Sequence, residues 1–205
     1  MGACESSEAV QTTAHTGQPQ SITVFDSKYV LERPVTLDMK GKLWTWSGED
    51  FVIRDATTNE AYFKIDAKAL SLSNKKLLLD DANRTVAVLK KDLLAFTLTQ
   101  RVYRNDDTSS DMFAIKTRIK IGSSEIEATV QDLVSHRSYV IRCKGNWAGR
   151  SATISCDGNA IAQLRQPLDL TGNRYLVDVS PGVDIALITL VCIAMDENER
   201  SSQLI

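Results

Sequence analysis

The sequence is poor in the residues that build metal and redox sites. Its two histidines, His15 and His136, lie far apart, and its four cysteines, Cys4, Cys143, Cys156 and Cys192, form no CxxC pair. Neither set has zinc-ligand spacing, so no metal and no cofactor is expected. The cysteines read as reduced thiols of an intracellular protein. Residues 1–20 contain no lysine, no arginine and no apolar run. Both the basic start and the hydrophobic middle of a secretory signal are therefore missing. The longest apolar stretch, VDIALITLVCIAM, runs from Val183 to Met195. A bilayer span needs roughly 20 apolar residues, so no transmembrane helix is expected.

Catalytic patterns are missing too. There is no Gly-rich phosphate loop, no histidine-centred triad and no pair of carboxylates on a recognisable motif, so an enzyme is not expected. Asp80–Asp81 and Asp106–Asp107 sit in turn contexts and read as turn formers. Lys and Arg number 24 against 26 Asp and Glu, for a net charge of -2. Bulk attraction to nucleic acid is not expected at that balance, and any anion site must come from local clustering.

What is present is enough for one globular domain. The 205 residues are 43% hydrophobic, an ordinary share that allows a sizeable core. Residues 1–20, rich in Ser, Thr, Gln and Gly, cannot bury enough surface to offset their ordering entropy and are expected to form a flexible tail. An ordered domain is expected over residues 21–200, with a C-terminal tail over 201–205.

Between Ile22 and about Ser180 the chain reads as short strands separated by turn signals. In MFAIKTRIKI, Phe113, Ile115, Thr117, Ile119 and Ile121 alternate with Ala114, Lys116, Arg118 and Lys120. Period two marks a half-buried strand. LLAFTLT and SYVIRCK alternate likewise. FVIRDATTNEAYFKI, KLLLDDANRTVAVLK and ATISCDGNAIAQLRQ each run strand, Asp-containing turn, strand. Such hairpins favour an antiparallel meander of about ten to twelve strands, as in a sandwich or barrel.

The closing run differs. Ser180 and Pro181 have the residue types of an N-cap and a first helical position. Ile185, Leu187, Ile188, Leu190, Val191 and Ile193 would make a helix apolar all round, which must be enclosed by protein. The β-branched content leaves a buried strand open as the alternative.

An all-β chain ending in one apolar helix resembles the LURP-one-related family, which shares the tubby C-terminal-like fold with tubby proteins and phospholipid scramblases. The resemblance is carried by Trp44 to Tyr103, where Asp55, Phe63, Lys64, Leu79, Asp80, Lys90 and Lys91 match the family pattern, and by the closing helix; it spans roughly residues 22–200. It implies a closed antiparallel barrel of about twelve strands around a central hydrophobic helix. Tubby proteins bind phosphoinositide head groups through basic residues on the barrel surface. The equivalent segment here, FKIDAKALSLSNKK, offers Lys64, Lys68, Lys75 and Lys76. Scramblases carry an acidic calcium-binding segment; none is seen here, so scramblase activity is the reading least expected.

Two further features bear on partners. Lys116, Arg118 and Lys120 share one strand face, and Arg142 and Lys144 another. If those strands are near neighbours, five cations converge on an anionic phospholipid or phosphoinositide site; solvation of the barrel exterior is the plainer reading of the same lysines. The start, MGACES, matches the pattern for N-myristoylation on Gly2, and Cys4 beside it can take a palmitoyl chain. One myristoyl chain binds membranes only marginally, so Cys4 would supply the second signal. The resulting expectation is a monomeric, non-enzymatic barrel tethered to the cytoplasmic face of a membrane, contacting anionic lipid or an unidentified protein. Without acylation, a cytoplasmic regulatory or interaction protein of stress or defence responses is the alternative that the resemblance suggests.

Overall fold

The computed structural model describes residues 21–40, 51–66, 75–92, 98–120, 123–146, 151–165 and 174–202. Gly2, Cys4, Lys68, Trp44, Trp46 and Trp147 lie outside them.

Twelve strands follow one another along the chain. They are β1 (Val35–Lys40), β2 (Phe51–Asp55), β3 (Ala61–Asp66), β4 (Lys75–Asp80), β5 (Thr85–Lys91), β6 (Leu98–Arg104), β7 (Phe113–Lys120), β8 (Ser123–Gln131), β9 (Ser138–Asn146), β10 (Ser151–Cys156), β11 (Asn159–Arg165) and β12 (Arg174–Val179). Each pairs antiparallel with its sequence neighbour, and β1 also pairs with β12, which closes the barrel. Closure leaves no sheet edge to pair with another chain. The alternation reads as expected. Phe113, Ile115 and Thr117 of β7 are buried, while Lys116 and Arg118 are exposed.

The closing run is a helix, α1 (Ile185–Ser202), not a strand. Ile185, Leu187, Ile188, Leu190, Val191 and Ile193 are all buried and belong to the same core as the inward residues of the strands. Each such aliphatic side chain contributes about 1.5–3 kcal/mol when fully buried. A helix apolar on every side is stable in water only inside such a sleeve. Its start is not at Ser180 and Pro181. Gly182 has φ +78°, a left-handed turn that carries the chain from the wall toward the axis. Asp184 then caps the helix, its carboxylate accepting from Ala186 N at 2.9 Å. At the other end the helix continues to Ser202.

The five described hairpin turns, from β2 to β3, β4 to β5, β6 to β7, β8 to β9 and β10 to β11, share one end of the barrel. Each holds a residue with positive φ: Asn59, Asn83, Asn105, His136 and Asp157 respectively. Short polar side chains tolerate this conformation better than most.

Candidate functional site

The same end is closed by the segment 22–33, which crosses it as a strap. Moving along the strap, successive residues meet the ends of successive even-numbered strands. Thr23 N donates to Asp132 Oδ2 after β8 at 2.6 Å. The carbonyls of Val24 and Phe25 accept from the Arg104 guanidinium at the end of β6, at 2.9 and 2.8 Å. Lys28 Nζ reaches Asp80 Oδ2 at the end of β4, at 3.3 Å, and Arg33 reaches Asp55 Oδ2 at the end of β2, at 2.9 Å. In the centre, Val24 N and Phe25 N donate to Asp184 Oδ2 at 3.0 and 2.7 Å. Four buried aspartates, Asp55, Asp80, Asp132 and Asp184, thus fasten the strap to the barrel and to the helix.

Three of the four also hold their own turns. Asp55 Oδ1 accepts from Thr57 N and Thr58 N, Asp80 Oδ1 from Ala82 N and Arg84 N, and Asp132 Oδ1 from Val134 N and Ser135 N. Burial alone would push the Asp55 carboxyl up, but the Thr57 N–H, the Arg33 guanidinium and the Thr58 N–H outweigh it and hold it below the usual carboxylate range. Asp80 is lowered in the same way, by Arg84 and Lys28 against burial, and Asp132 by the N–H groups of Ser135 and Thr23. Asp184 goes the other way. Burial dominates and pushes it up to about 6 despite the backbone N–H groups that point at it. Asp55 and Asp80, read from the sequence as residues of turns, therefore also anchor the strap.

The sequence-predicted basic residues fall into two groups that do not meet. Lys64 lies on the outside of β3, four strands away from β7 in the ring of twelve. Lys116, Arg118 and Lys120 on β7 and Arg142 and Lys144 on β9 flank a single strand, β8. They do converge, but Glu125 and Glu127 of β8 stand between them. Glu127 is paired in register with both Lys116 and Arg142, and Glu125 with both Arg118 and Lys144. Arg142 Nε bonds Glu127 at 3.0 Å and Lys144 Nζ bonds Glu125 at 3.2 Å. Each glutamate takes its β9 partner, which leaves Lys116 and Arg118 as exposed cations on β7 with no ion pair among the described residues. The alternation of SSEIEATVQ, with Ile126, Ala128 and Val130 inward, is the signal that places these glutamates outward.

Lys76 is not on the outer surface where the sequence reading grouped it. It is 6% exposed, on the inward side of β4 with Leu78, and ion-paired to Glu197 of the helix. Burial lowers its ammonium below the usual range. Nearby, Gln100 Nε2 donates to the Ala194 carbonyl at 3.1 Å. These contacts fix the C-terminal half of α1 to the wall. Cys143, Cys156 and Cys192 are buried free thiols; burial pushes Cys143 up to about 12 and Cys156 to about 11, which suppresses the reactive thiolate. The sequence reading also missed Leu133 and Val134, 42% and 73% exposed at the tip of the β8–β9 turn. No described helix is long and apolar enough to cross a membrane.

Comparison with known proteins agrees with this architecture. The family model described as LURP-one-related matches residues 35–196. The protein LURP-one-related 15 of Arabidopsis thaliana is 25% identical over 201 residues, covering 88% of this chain and 87% of its own length. LURP-one-related 10 of the same plant is 23% identical over 178 residues, covering 82% of this chain and 91% of its own. An X-ray structure of an Arabidopsis thaliana protein superimposes with a TM-score of 0.62 at 25% identity, covering 86% of this chain and 98% of that one.

Proposed function

Because the chain belongs to the LURP-one-related family, we propose that it is a non-enzymatic, membrane-associated binding module. In this reading Gly2 and Cys4 carry acyl chains, and the β7–β9 wall contacts anionic phospholipid. The observation that carries it is the pair Lys116 and Arg118. They project from one face of β7 while the neighbouring acids are engaged by Arg142 and Lys144.

A basic residue near an anionic leaflet contributes about 1 kcal/mol. Two such residues are worth roughly thirtyfold in partition, which is too little alone and useful beside an acyl chain.

The test joins two measurements. Intact mass of the protein from its native cell, with fractionation, reads the acyl chains and the membrane pool. Sedimentation with vesicles containing phosphatidylserine reads the wall. A K116E/R118E variant is expected to lose most vesicle binding at low salt. An unmodified chain that leaves such vesicles in the supernatant would sink the reading.

A second reading, a protein-interaction module with no lipid role, draws on Leu133 and Val134. Two adjacent aliphatic side chains on a turn that Asp132 holds rigid suit insertion into a partner's pocket. Retention of a partner by the wild type and its loss in L133S/V134S would favour it.

A further inference from the structure

Between the strap and the ends of β4 and β6 lies a half-open cleft of about 290 Å³. Its apolar side is formed by Phe25, Tyr29 and Val86, and its rim by Lys28, Arg84 and Arg104, with Asp80 in its floor. The three cations come from three separate elements: the strap, the β4–β5 turn and the end of β6. We infer that this cleft is a binding site for a phosphomonoester dianion, a site distinct from the β7–β9 wall and independent of any acylation.

The cleft carries a surplus of donors. Ammonium and guanidinium groups donate hydrogen bonds and accept none. Facing them, Asp80 Oδ2 takes Lys28 Nζ at 3.3 Å, Arg84 Nε at 2.9 Å and the second Arg84 nitrogen at 2.8 Å. Asp26 is turned to the strap, its Oδ1 accepting from Lys28 N at 3.0 Å. Arg104 spends two N–H groups on the carbonyls of Val24 and Phe25. Most N–H groups of the three cations are left without an acceptor among these bonds. Three positive charges meet two carboxylates in the lining, so the local charge is positive in a protein whose net charge is -2.

A group that fits this lining is rich in acceptors and negative. A phosphomonoester carries nearly two charges and three strong acceptor oxygens, and guanidinium groups match that geometry. Arg104 is fixed by its carbonyl bonds and lies 6.0 Å over the Phe25 ring. Lys28 and Arg84, 44% and 69% exposed in their side chains, keep N–H groups beyond those that Asp80 Oδ2 engages with which to meet an anion at the rim. The volume lies at the small end of ligand cavities, which suits a phosphate on a short carbon skeleton. The inference is one of binding.

The experiment is calorimetric titration of the full chain with glycerol 3-phosphate, beside sedimentation with phosphatidylcholine vesicles with and without phosphatidate. Both probes present the same phosphomonoester, one free and one on a membrane. Binding of glycerol 3-phosphate in solution identifies a small soluble ligand. Binding only to phosphatidate vesicles identifies a lipid head group. In either case Lys28→Gln and Arg84→Gln are each expected to weaken binding about tenfold, with Lys116→Gln unchanged. Should Arg84→Gln melt early, Arg84→Lys keeps the charge, loses the fork and is expected to weaken binding as well. No binding of either probe up to about 10 mM, or binding that survives in K28Q/R84Q, overturns the site. Loss through K116E/R118E with the cleft variants intact would instead assign the anion to the wall.

Discussion

Phe25 and Asp184 are separated by 159 positions in the sequence and joined by a 2.7 Å hydrogen bond, the Phe25 amide donating to Oδ2 of the carboxylate. The same oxygen accepts from Val24 N, and the other accepts from Ala186 N. One side chain thus begins the central helix and anchors the strap. Asp184→Ala removes the cap and orphans three buried amides. A loss of about 3–5 kcal/mol is expected, read as a lower urea midpoint. A loss below about 1 kcal/mol would mean that the strap is held without it.

The pH dependence follows from the two directions of shift. Asp184 sits at about 6 in the fold against an ordinary 3.8. The folded state therefore keeps a proton that the unfolded chain has released between those values. Stability from this group is complete below pH 3.8 and falls as pH rises through 6. Asp55, Asp80 and Asp132 are lowered, so their contribution is present above the ordinary carboxylate range and lost as pH falls below it. Urea titrations at successive pH values should give a stability difference between wild type and Asp184→Asn that shrinks from pH 4 to 6. Parallel profiles would refute the assignment.

Thr189 is buried in the second turn of α1, and its hydroxyl has no hydrogen-bond partner among the described residues. Desolvating such a group costs about 1–3 kcal/mol. Thr189→Val keeps the shape and removes the hydroxyl. A stabilisation of about 1 kcal/mol is expected, visible as a higher melting temperature.

Gly145 has φ +155°, and a Cβ there would lie 2.5 Å from Ala152 Cα across the β9–β10 pair. Backbone cannot yield as a side-chain tip can. Gly145→Ala should cost about 2–4 kcal/mol and speed hydrogen exchange in Ser151 to Cys156. Unchanged exchange there would show that the pair can slide apart cheaply.

Lys76 and Glu197 test the far half of the helix. Lys76→Met leaves Glu197 without its ion pair and should destabilise by about 2–4 kcal/mol, and K76M/E197L should recover most of it. A double-mutant cycle with no coupling would place the cost in packing alone.

Much of this architecture can be read along the chain. Strand parity in MFAIKTRIKI and the aspartates before the turns at Asp55 and Asp80 give the meander, because alternation and turn chemistry are local. The helix start was misplaced because Ser180–Pro181 and Asp184 are equally good local signals. The choice between them is made by the left-handed Gly182 and by the strap amides, which come from the other end of the chain. Lys76 was grouped with Lys75 as solvated, although parity puts it with Leu78 and Asp80. Lysines beside one another look alike until the strand assigns them opposite sides. The cations of β7 and β9 are legible along the chain; the neutralising effect of the intervening Glu125 and Glu127 is not, because it exists only across strands. The phosphomonoester cleft had no linear trace, since Lys28, Arg84 and Arg104 belong to separate segments.

The element that fills the barrel is also the last to be made. On the ribosome, every strand from β1 to β12 emerges before Ile185, the first residue of the helix. Hairpins can form as they appear, since each strand pairs with the one before it. The seam between β1 and β12 is different. Sealing it early would enclose an apolar lumen with nothing inside. The nascent chain must therefore wait as an unsealed sheet, greasy on one side, until the helix has emerged. A chain truncated before Ile185 should be a client of chaperones and proteases.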